Sequence, residues 1–391
     1  MTIFVAAISA LILAMIGVPL MRRIATRYGA LDHPGERKIH QLCTPRLGGA
    51  AIVLGLGGAV LFLKFFGSIG SLASDPIWTV LMVGTPIAFG IGLWDDFFSI
   101  GSKRKFVGQL LLGAVIYMLG FRIDSVSLGP GYHLSFGLFS FPFTLIWVAA
   151  VMNAVNLIDG IDGLASGVCV ISFVTIALLA QLFGNPVVSI AAWISAASVF
   201  GFLCFNFSPA KIFMGDSGSM TLGFLLAVLS LSITPSGSVM LPVYVPMLVL
   251  SLPLVDVTVA VLRRIIRVAH LERFSRSEVE RVKVSTVLQR VFSADGDHIH
   301  HRLISRGFSH RQVSLILYGF SGLGAGLAFF VLALPAQLSW LLGVAALVAV
   351  WQMVLSLGYT EFAPKSIRQH EQIPEWEDAF SRQVSVIRRI S

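Results

Sequence analysis

Long apolar stretches, separated by short polar segments, run along almost the whole chain. We place them at residues 2–21, 48–67, 77–94, 106–121, 139–156, 162–183, 187–205, 217–233, 239–262, 312–334 and 336–358. A helix of about twenty residues crosses a hydrocarbon layer of about 30 Å and satisfies its own backbone in lipid, whereas barrel strands are shorter and alternate. The pattern therefore predicts an all-α polytopic membrane protein with about eleven transmembrane helices.

The basic residues indicate which side of the membrane each connecting segment faces. All but Lys64 and Arg122 of the 28 Lys and Arg residues lie in alternate connecting segments or after residue 358. Because cytoplasmic segments are enriched in Lys and Arg, we predict an N-terminus outside and a C-terminus in the cytoplasm of a bacterial inner membrane. Basic residues follow the first apolar stretch instead of preceding it, which indicates a retained helix and not a secretory signal.

This topology divides the chain into two parts. Residues 1–358 form the predicted transmembrane domain, with a long cytoplasmic loop at 263–311, and residues 359–391 form a cytoplasmic tail. Within the loop, 270–292 is predicted as an added amphipathic helix. Asp256 lies inside the ninth apolar stretch, where an acid is a functional candidate, although a salt bridge or helix packing explains it equally well.

Composition supports the bilayer as the solvent. Hydrophobic residues make up 56% of the chain and charged residues only 12%, about half the charged share of a soluble domain. The net charge of +8 would favour nucleic acid in a soluble protein, but the basic cytoplasmic loops account for it. We therefore expect the lipid bilayer as a partner and no nucleic acid.

Four polar clusters lie in or beside the predicted cytoplasmic loops. They are Asp95 with Asp96; Asn153, Asn156, Asp159 and Asp162; Asp216; and His298, His300 and His301. Each has a structural explanation, since acids solvate or cap helix ends and asparagines pair across helices. Because neighbouring helical side chains diverge by about 100°, Asp95 and Asp96 are expected to serve different partners.

The clusters also have a functional explanation. Glycine-flanked amides at the start of the eighth helix would face phosphate while Asp216 holds a cation. The histidines suit zinc, but the surrounding carboxylates favour Mg²⁺, and a histidine near neutral pH also donates hydrogen bonds to phosphate oxygens. That all four clusters face one compartment favours a single active site.

Together these residues resemble the polyprenyl-phosphate N-acetylhexosamine-1-phosphate transferases, and within them the WecA/TagO-like branch. The resemblance runs from Arg37-Lys38-Ile-His40 and Pro45-Arg-Leu-Gly48-Gly49 to His298-Ile-His-His301 and covers about residues 1–358. It implies transfer of a sugar phosphate from a UDP-N-acetylhexosamine to undecaprenyl phosphate, with release of UMP. It also implies dependence on Mg²⁺, for which Mn²⁺ would substitute, and leaves a homodimer as an open alternative.

The resemblance assigns roles to single residues. Asp216 is the expected metal ligand, with Asp95 and Asp96 as further metal candidates. The expected catalytic residues are Asp95, which engages the prenyl phosphate, with Asp96, Asp159 and His298. The expected substrate-binding residues are Lys38, His40, Asn153, Asn156, Asp162, His300, His301 and Arg302. Lys103, Lys105 and Lys211 are further candidates for holding two anions together.

Two other functions match the sequence less well. A CDP-alcohol phosphotransferase would use Asp159-Gly-Ile-Asp162-Gly-Leu-Ala165, but Ser166 stands where that motif has arginine and its downstream acids are missing. A transporter would place ionisable residues near the midplane and show paired repeats, whereas here the acids gather at one face.

Overall fold

The computed structural model describes residues 2–32, 43–66, 75–129, 132–233, 244–258 and 299–354. Its helices are α1 Thr2–Tyr28, α2 Gly48–Phe66, α3 Pro76–Phe98, α4 Ser102–Met118, α5 Ser140–Ile158, α6 Leu164–Leu182, α7 Pro186–Asn206, α8 Gly215–Leu231, α9 Tyr244–Val249, α10 Ile299–Ser305, α11 His310–Leu332 and α12 Ala336–Val354. Residues 251–258 are also helical. A helix is thus found in each of the eleven predicted stretches.

Among the described residues, seven helical segments are long and apolar enough to cross a membrane. They are Ile3–Tyr28, Gly48–Phe66, Pro76–Phe98, Gly137–Ile158, Leu164–Leu182, Pro186–Asn206 and His310–Leu332. The apolar helices Gly215–Leu231 and Leu338–Ala349 are shorter. The prediction of an all-α polytopic membrane protein is confirmed, while the number of spans and their orientation stay predictions.

Two short antiparallel strand pairs were not predicted. β1 (Leu31–Asp32) pairs with β2 (Thr44–Pro45), and β3 (Ser125–Gly129) pairs with β4 (Tyr132–Ser135). Pairs this short carry too few residues for a recognisable alternation of polar and apolar positions. The first pair leads directly into α2 and brings Arg46 to the polar end of the bundle.

Local sequence explains where several helices begin. The side chains of Asp75 and Asn185 accept backbone hydrogen bonds at the starts of α3 and α7, and each is followed by proline, whose missing N–H costs nothing there. Ser309 and Gln312 form a reciprocal capping box at the start of α11.

The centre of the bundle is α8. Every residue from Ser217 to Ser230 is buried, because α2, α3, α5, α6, α7 and α9 all pack around this helix. A helix that is apolar on all sides and enclosed in this way is a core helix. Its first residues meet the last turn of α3, the first turn of α4 and the last turn of α5, and the candidate site lies at that junction.

Candidate functional site

An ammonium group lies between two carboxylates at the start of α8. Lys105 Nζ is 2.9 Å from Asp95 Oδ2 and 2.9 Å from Asp216 Oδ2. All three side chains are largely buried, and Asp95 Oδ1 has no hydrogen-bond partner within the described part of the chain. A buried carboxylate oxygen with no donor is costly unless something else binds it. The cluster is therefore suited to hold a cation or a proton-bearing group.

Asp216 is oriented by a second contact from α5. Asn156 Nδ2 donates to Asp216 Oδ1 and, over 2.8 Å, to Ser219 Oγ. The two oxygens of Asp216 thus have different partners, an amide on one side and the Lys105 ammonium on the other. This arrangement fixes the plane of the carboxylate relative to α8.

Asp96 points in another direction from its neighbour. Its Oδ1 accepts the backbone N–H of Asp216 at 2.8 Å and its Oδ2 accepts that of Ser217 at 2.9 Å. Arg46 Nη2 lies 3.5 Å from Asp96 Oδ1, and Arg46 Nη1 lies 3.4 Å from Asp32 Oδ1. The expectation that Asp95 and Asp96 serve different partners is confirmed. The Asp216 and Ser217 amides, expected from the sequence to face phosphate, therefore bond to Asp96 instead. Whether Asp96 is also a metal ligand stays a prediction.

Glycines let the backbone of α8 approach its neighbours closely. A Cβ added to Gly92 of α3 would collide with the carbonyl of Asp216, and one added to Gly49 of α2 would lie 2.6 Å from the Cα of Gly218. Gly215 has φ +72°, and a Cβ there would lie 2.7 Å from Asp96 Oδ2. No larger residue fits these positions without moving the start of α8.

The loop between α5 and α6 forms the other side of the site. Gly163, with φ +77°, donates its N–H to Asn206 Oδ1 at 3.1 Å, and its carbonyl accepts from Tyr318 Oη. Ser314 Oγ donates to the Asp162 carbonyl at 3.1 Å, and Asp162 Oδ2 accepts the Ala210 N–H at 2.9 Å. Side chains of α7 and α11 thus hold a loop that carries two acids.

Asp159 directly follows α5 and is enclosed by this loop. Burial, together with the charges of Asp216 and Asp96, raises the pKa of Asp159 well above its ordinary value, and Arg46 opposes this shift. A raised pKa means that the surroundings favour the neutral carboxyl. A positive charge placed close to this loop would therefore stabilise the ionised form of Asp159.

Asn153 lies one turn before Asn156 and takes part in helix packing. Its Nδ2 donates to Gln109 Oε1 at 2.6 Å and to the Ala149 carbonyl at 2.8 Å, while Gln109 Nε2 donates to Met220 Sδ at 3.2 Å. Both asparagines therefore bond across to neighbouring helices, as one of the two explanations predicted. Whether either also binds substrate stays a prediction.

The histidine segment packs against the acid-bearing loop. His300 is buried, and a Cβ added to Gly160 would lie 2.9 Å from the His300 ring carbon Cε1. The His300 and His301 ring centroids are 4.4 Å apart, and Arg302 follows on the same short helix. Asp256 Oδ1 accepts the Ile299 N–H at 3.2 Å, so this intramembrane acid contacts the start of the histidine helix. Lys38, His40 and His298 lie outside the described residues, as do 270–292 and 359–391.

Several contributors to the site were not singled out from the sequence. Lys105 was one of several basic candidates, and nothing in Ser-Lys-Arg-Lys separates it from Lys103, which is exposed. Arg46 and Tyr318 reach the site only through tertiary packing. Within the ranges described above, no three His, Cys, Asp or Glu side chains converge in the manner of a metal site built by protein alone.

Comparison with known proteins identifies relatives of this chain. The family model described as glycosyl transferase family 4 matches residues 78–234, which contain Asp95, Lys105, Asp159 and Asp216. The chain is 35% identical over 319 residues to a probable undecaprenyl-phosphate N-acetylglucosaminyl 1-phosphate transferase of Bacillus subtilis (strain 168), covering 81% of each protein. It is 33% identical over 331 residues to a decaprenyl-phosphate N-acetylglucosaminephosphotransferase of Mycobacterium tuberculosis, covering 78% of this chain and 76% of the relative.

A more distant relative shares part of the chain. A phospho-N-acetylmuramoyl-pentapeptide-transferase of Staphylococcus carnosus is 29% identical over 237 residues, covering 56% of this chain and 72% of the relative. Fold and matches together define a membrane-embedded sugar-phosphate transferase. The chain belongs to glycosyl transferase family 4, in the WecA/TagO-like group of polyprenyl-phosphate N-acetylhexosamine-1-phosphate transferases.

Proposed function

We propose that the protein transfers an N-acetylhexosamine-1-phosphate, with GlcNAc-1-phosphate as the first candidate, from a UDP-sugar to undecaprenyl phosphate. An oxygen of the lipid phosphate attacks the sugar-bearing phosphorus, the bond to the bridging oxygen of the diphosphate breaks, and UMP leaves. The product is a pyrophosphate-linked lipid that starts a cell-surface glycan. The names of both bacterial relatives support N-acetylglucosamine and a polyprenyl phosphate, and the name of the Bacillus subtilis relative supports undecaprenyl phosphate.

The observation that carries the proposal is the buried Asp95–Lys105–Asp216 cluster at the start of α8. Phosphoryl transfer between two anions depends on positioning and on neutralising charge, and this cluster brings an ammonium and two acids to one point. The lipid phosphate is already largely anionic at neutral pH, because its second pKa is about 6. It therefore attacks directly, without a covalent intermediate on an aspartate.

The cluster also fits Mg²⁺. This ion is usually held by one or two carboxylates together with substrate phosphates and water, not by a cage of protein ligands alone. Asp95 and Asp216 would supply the carboxylates, consistent with the unpartnered Asp95 Oδ1 and with the absence of a three-ligand cluster among the described residues. When bound, the ion would neutralise charge on the diphosphate. Asn156 keeps the Asp216 carboxylate in its plane, and Lys105 supplies a positive charge beside both acids.

The second side of the site is proposed to hold the nucleotide end of the donor. The loop at 159–163 presents backbone and acid groups, and His300, His301 and Arg302 lie beside it. Burial and the neighbouring acids raise the pKa of Asp159, so a cationic side chain or a bound ion placed near it would stabilise its charged form. Asp162 would contribute to donor binding by stabilising this loop, through the hydrogen bond that it accepts from the Ala210 N–H.

The site is proposed to face the cytoplasm of an inner membrane. The asymmetry of Lys and Arg supports this, since the basic connecting segments share the side of the acid clusters. Single cysteines introduced at 101, 209 and 305 should label only from the cytoplasm, and one at 129 only from outside. Periplasmic labelling of position 305 in intact cells would overturn the orientation.

The direct test is a reconstituted transfer assay. Purified protein is incubated with Mg²⁺, undecaprenyl phosphate and a panel of UDP-GlcNAc, UDP-GalNAc, UDP-QuiNAc and UDP-FucNAc, and the lipid product is identified by mass. Undecaprenol, which lacks the phosphate, is the matched control acceptor. One donor should give a lipid heavier by a sugar phosphate. If no donor gives one, and labelled UMP does not exchange into any UDP-sugar, the proposed function fails.

A further inference from the structure

The start of α8 lacks a cap of its own. Met214, at the position before the helix, has helical backbone angles of φ −63° and ψ −42°, and its side chain makes no capping hydrogen bond. The first amides of a helix have no partners within the helix, and a helix inside a protein needs a substitute for them. Asp96 supplies it from α3, because its two oxygens accept the Asp216 and Ser217 amides.

The surroundings of Asp96 match a structural anion. Its side chain is 0% exposed, and the guanidinium of Arg46 lies 3.5 Å away. The partial positive charge of a helix N-terminus also stabilises an acid placed there. The two amides, the guanidinium and the helix end all lie where they stabilise a negative charge on Asp96. Its contacts in the structure are with α8 and Arg46, whereas those of Asp95 include Lys105.

One of the capped amides belongs to Asp216 itself. The hydrogen bond from that amide sets the backbone position from which the Asp216 side chain reaches Lys105 and Asn156. Gly92 and Gly49 meet the same turn of α8 without space for a Cβ. A displaced first turn would therefore move the Asp216 carboxylate away from its partners.

We propose that Asp96 is a positioning residue, which holds the first turn of α8 and through it the carboxylate of Asp216, and that it takes no part in bond making or breaking. The link from Asp96 to catalysis rests on the proposed function of Asp216, whereas the capping of α8 by Asp96 does not. The adjacent carboxylate, Asp95, provides the matched comparison.

The first test measures the cap without any substrate. Asp96→Asn keeps the size of the side chain, but asparagine has one acceptor oxygen, and its NH₂ group would face the second amide. Hydrogen–deuterium exchange of the full-length protein in detergent should show faster uptake in peptides covering 214–219. Asp95→Asn should leave that uptake at the wild-type level. Unchanged uptake in Asp96→Asn overturns the inference.

The second test asks whether Asp96 acts through Asp216. Asp96→Asn should lower kcat by about 10- to 100-fold, the range expected for one charged hydrogen bond, with an unchanged shape of the pH–rate profile. In a protein that already carries Asp216→Asn, adding Asp96→Asn should cost less than about threefold, because residues that act through one another are not additive. Asp124→Asn, at a carboxylate bonded to Ser140 outside the site, should leave kcat unchanged.

Two results would overturn the positioning role and give Asp96 a chemical role. One is a double variant whose loss in kcat is the product of the two single losses. The other is the disappearance of one limb of the pH–rate profile in Asp96→Asn. If wild-type protein transfers no sugar phosphate from any donor, the proposed function fails. The exchange measurement still decides whether Asp96 caps α8.

Discussion

The two sides of the site are held in place by different kinds of interaction. At the start of α8, formal charges meet directly, with Lys105 between Asp95 and Asp216 and with Arg46 beside Asp96. At the α5–α6 loop, neutral groups hold the backbone, since Asn206, Ser314 and Tyr318 bond to main-chain atoms of 162–163. Changes on the first side should therefore alter the chemistry, and changes on the second should alter mainly the position of a loop.

Removal of divalent cations should lower transfer activity more than any other change, and it acts on the α8 side of the site. The cluster at α8 is proposed to hold its ion by two carboxylates only, so the ion should be lost readily to a chelator. EDTA-treated protein should show no transfer above background, and Mg²⁺ or Mn²⁺ should restore it. Full activity of the EDTA-treated protein would remove the metal from the proposed mechanism.

Asp216→Asn should have the second-largest effect on the rate of transfer. Loss of a charge-stabilising interaction of about 3–4 kcal/mol corresponds to a rate lower by about 10²–10³-fold, and excess Mg²⁺ should restore part of it. Asp95→Asn should also slow turnover, and excess Mg²⁺ should restore less of it, because Asp95 is expected to engage the lipid phosphate as well as the ion. The sequence left helix capping as the structural explanation of Asp216, but its side chain bonds to Lys105 and Asn156 instead of capping α8. Near-normal turnover by the purified variant would show that the charge of Asp216 has no role in transfer.

Gly92→Ala should disturb the α8 side of the site by displacing the backbone of the first turn of α8. The new methyl group would collide with the Asp216 carbonyl, and overpacking of this kind costs about 1–3 kcal/mol. We expect a lower thermal midpoint in detergent and a lower kcat. Gly90→Ala, on the same helix but with no atom within 4 Å of the added Cβ, should match wild type in both measurements. Equal effects of the two variants would show that helix propensity, not contact with α8, is responsible.

Tyr318→Phe tests the α5–α6 loop side of the site and should change the transfer kinetics least. It removes one neutral hydrogen bond to the Gly163 carbonyl, worth about 0.5–1.5 kcal/mol, so KM for the UDP-sugar should rise by less than about tenfold while kcat changes little. Tyr117→Phe, where the ring packs on Phe141 away from the site, is the matched control. A loss confined to kcat would mean that the loop takes part in chemistry and not only in binding.

The sequence predicted the helices well, because length and apolar composition alone determine what can cross a bilayer. It also predicted that Asp95 and Asp96 diverge, since helical geometry separates neighbours. It did not predict that Asp96 caps α8, because that contact joins residues 120 positions apart. Nor could it separate Lys105 from Lys103, since only the packing of α4 on α3 and α5 decides which lysine turns inward.

The long separation between Asp96 and Asp216 has a consequence for how the protein is made. The ribosome delivers α3 to the membrane well before α8 has been synthesised, so Asp96 is present before the amides that it caps, although Arg46 is already there. Both acids of α3 lie in its last turn, near a helix end, where water remains within reach and an ionised side chain costs far less than at the bilayer centre. The helix can therefore enter the membrane as an ordinary apolar segment. A nascent chain interrupted after α7 would already contain Arg46 and Lys105, the cationic partners of these acids, but would lack the Asp216 and Ser217 amides that complete the contacts of Asp96.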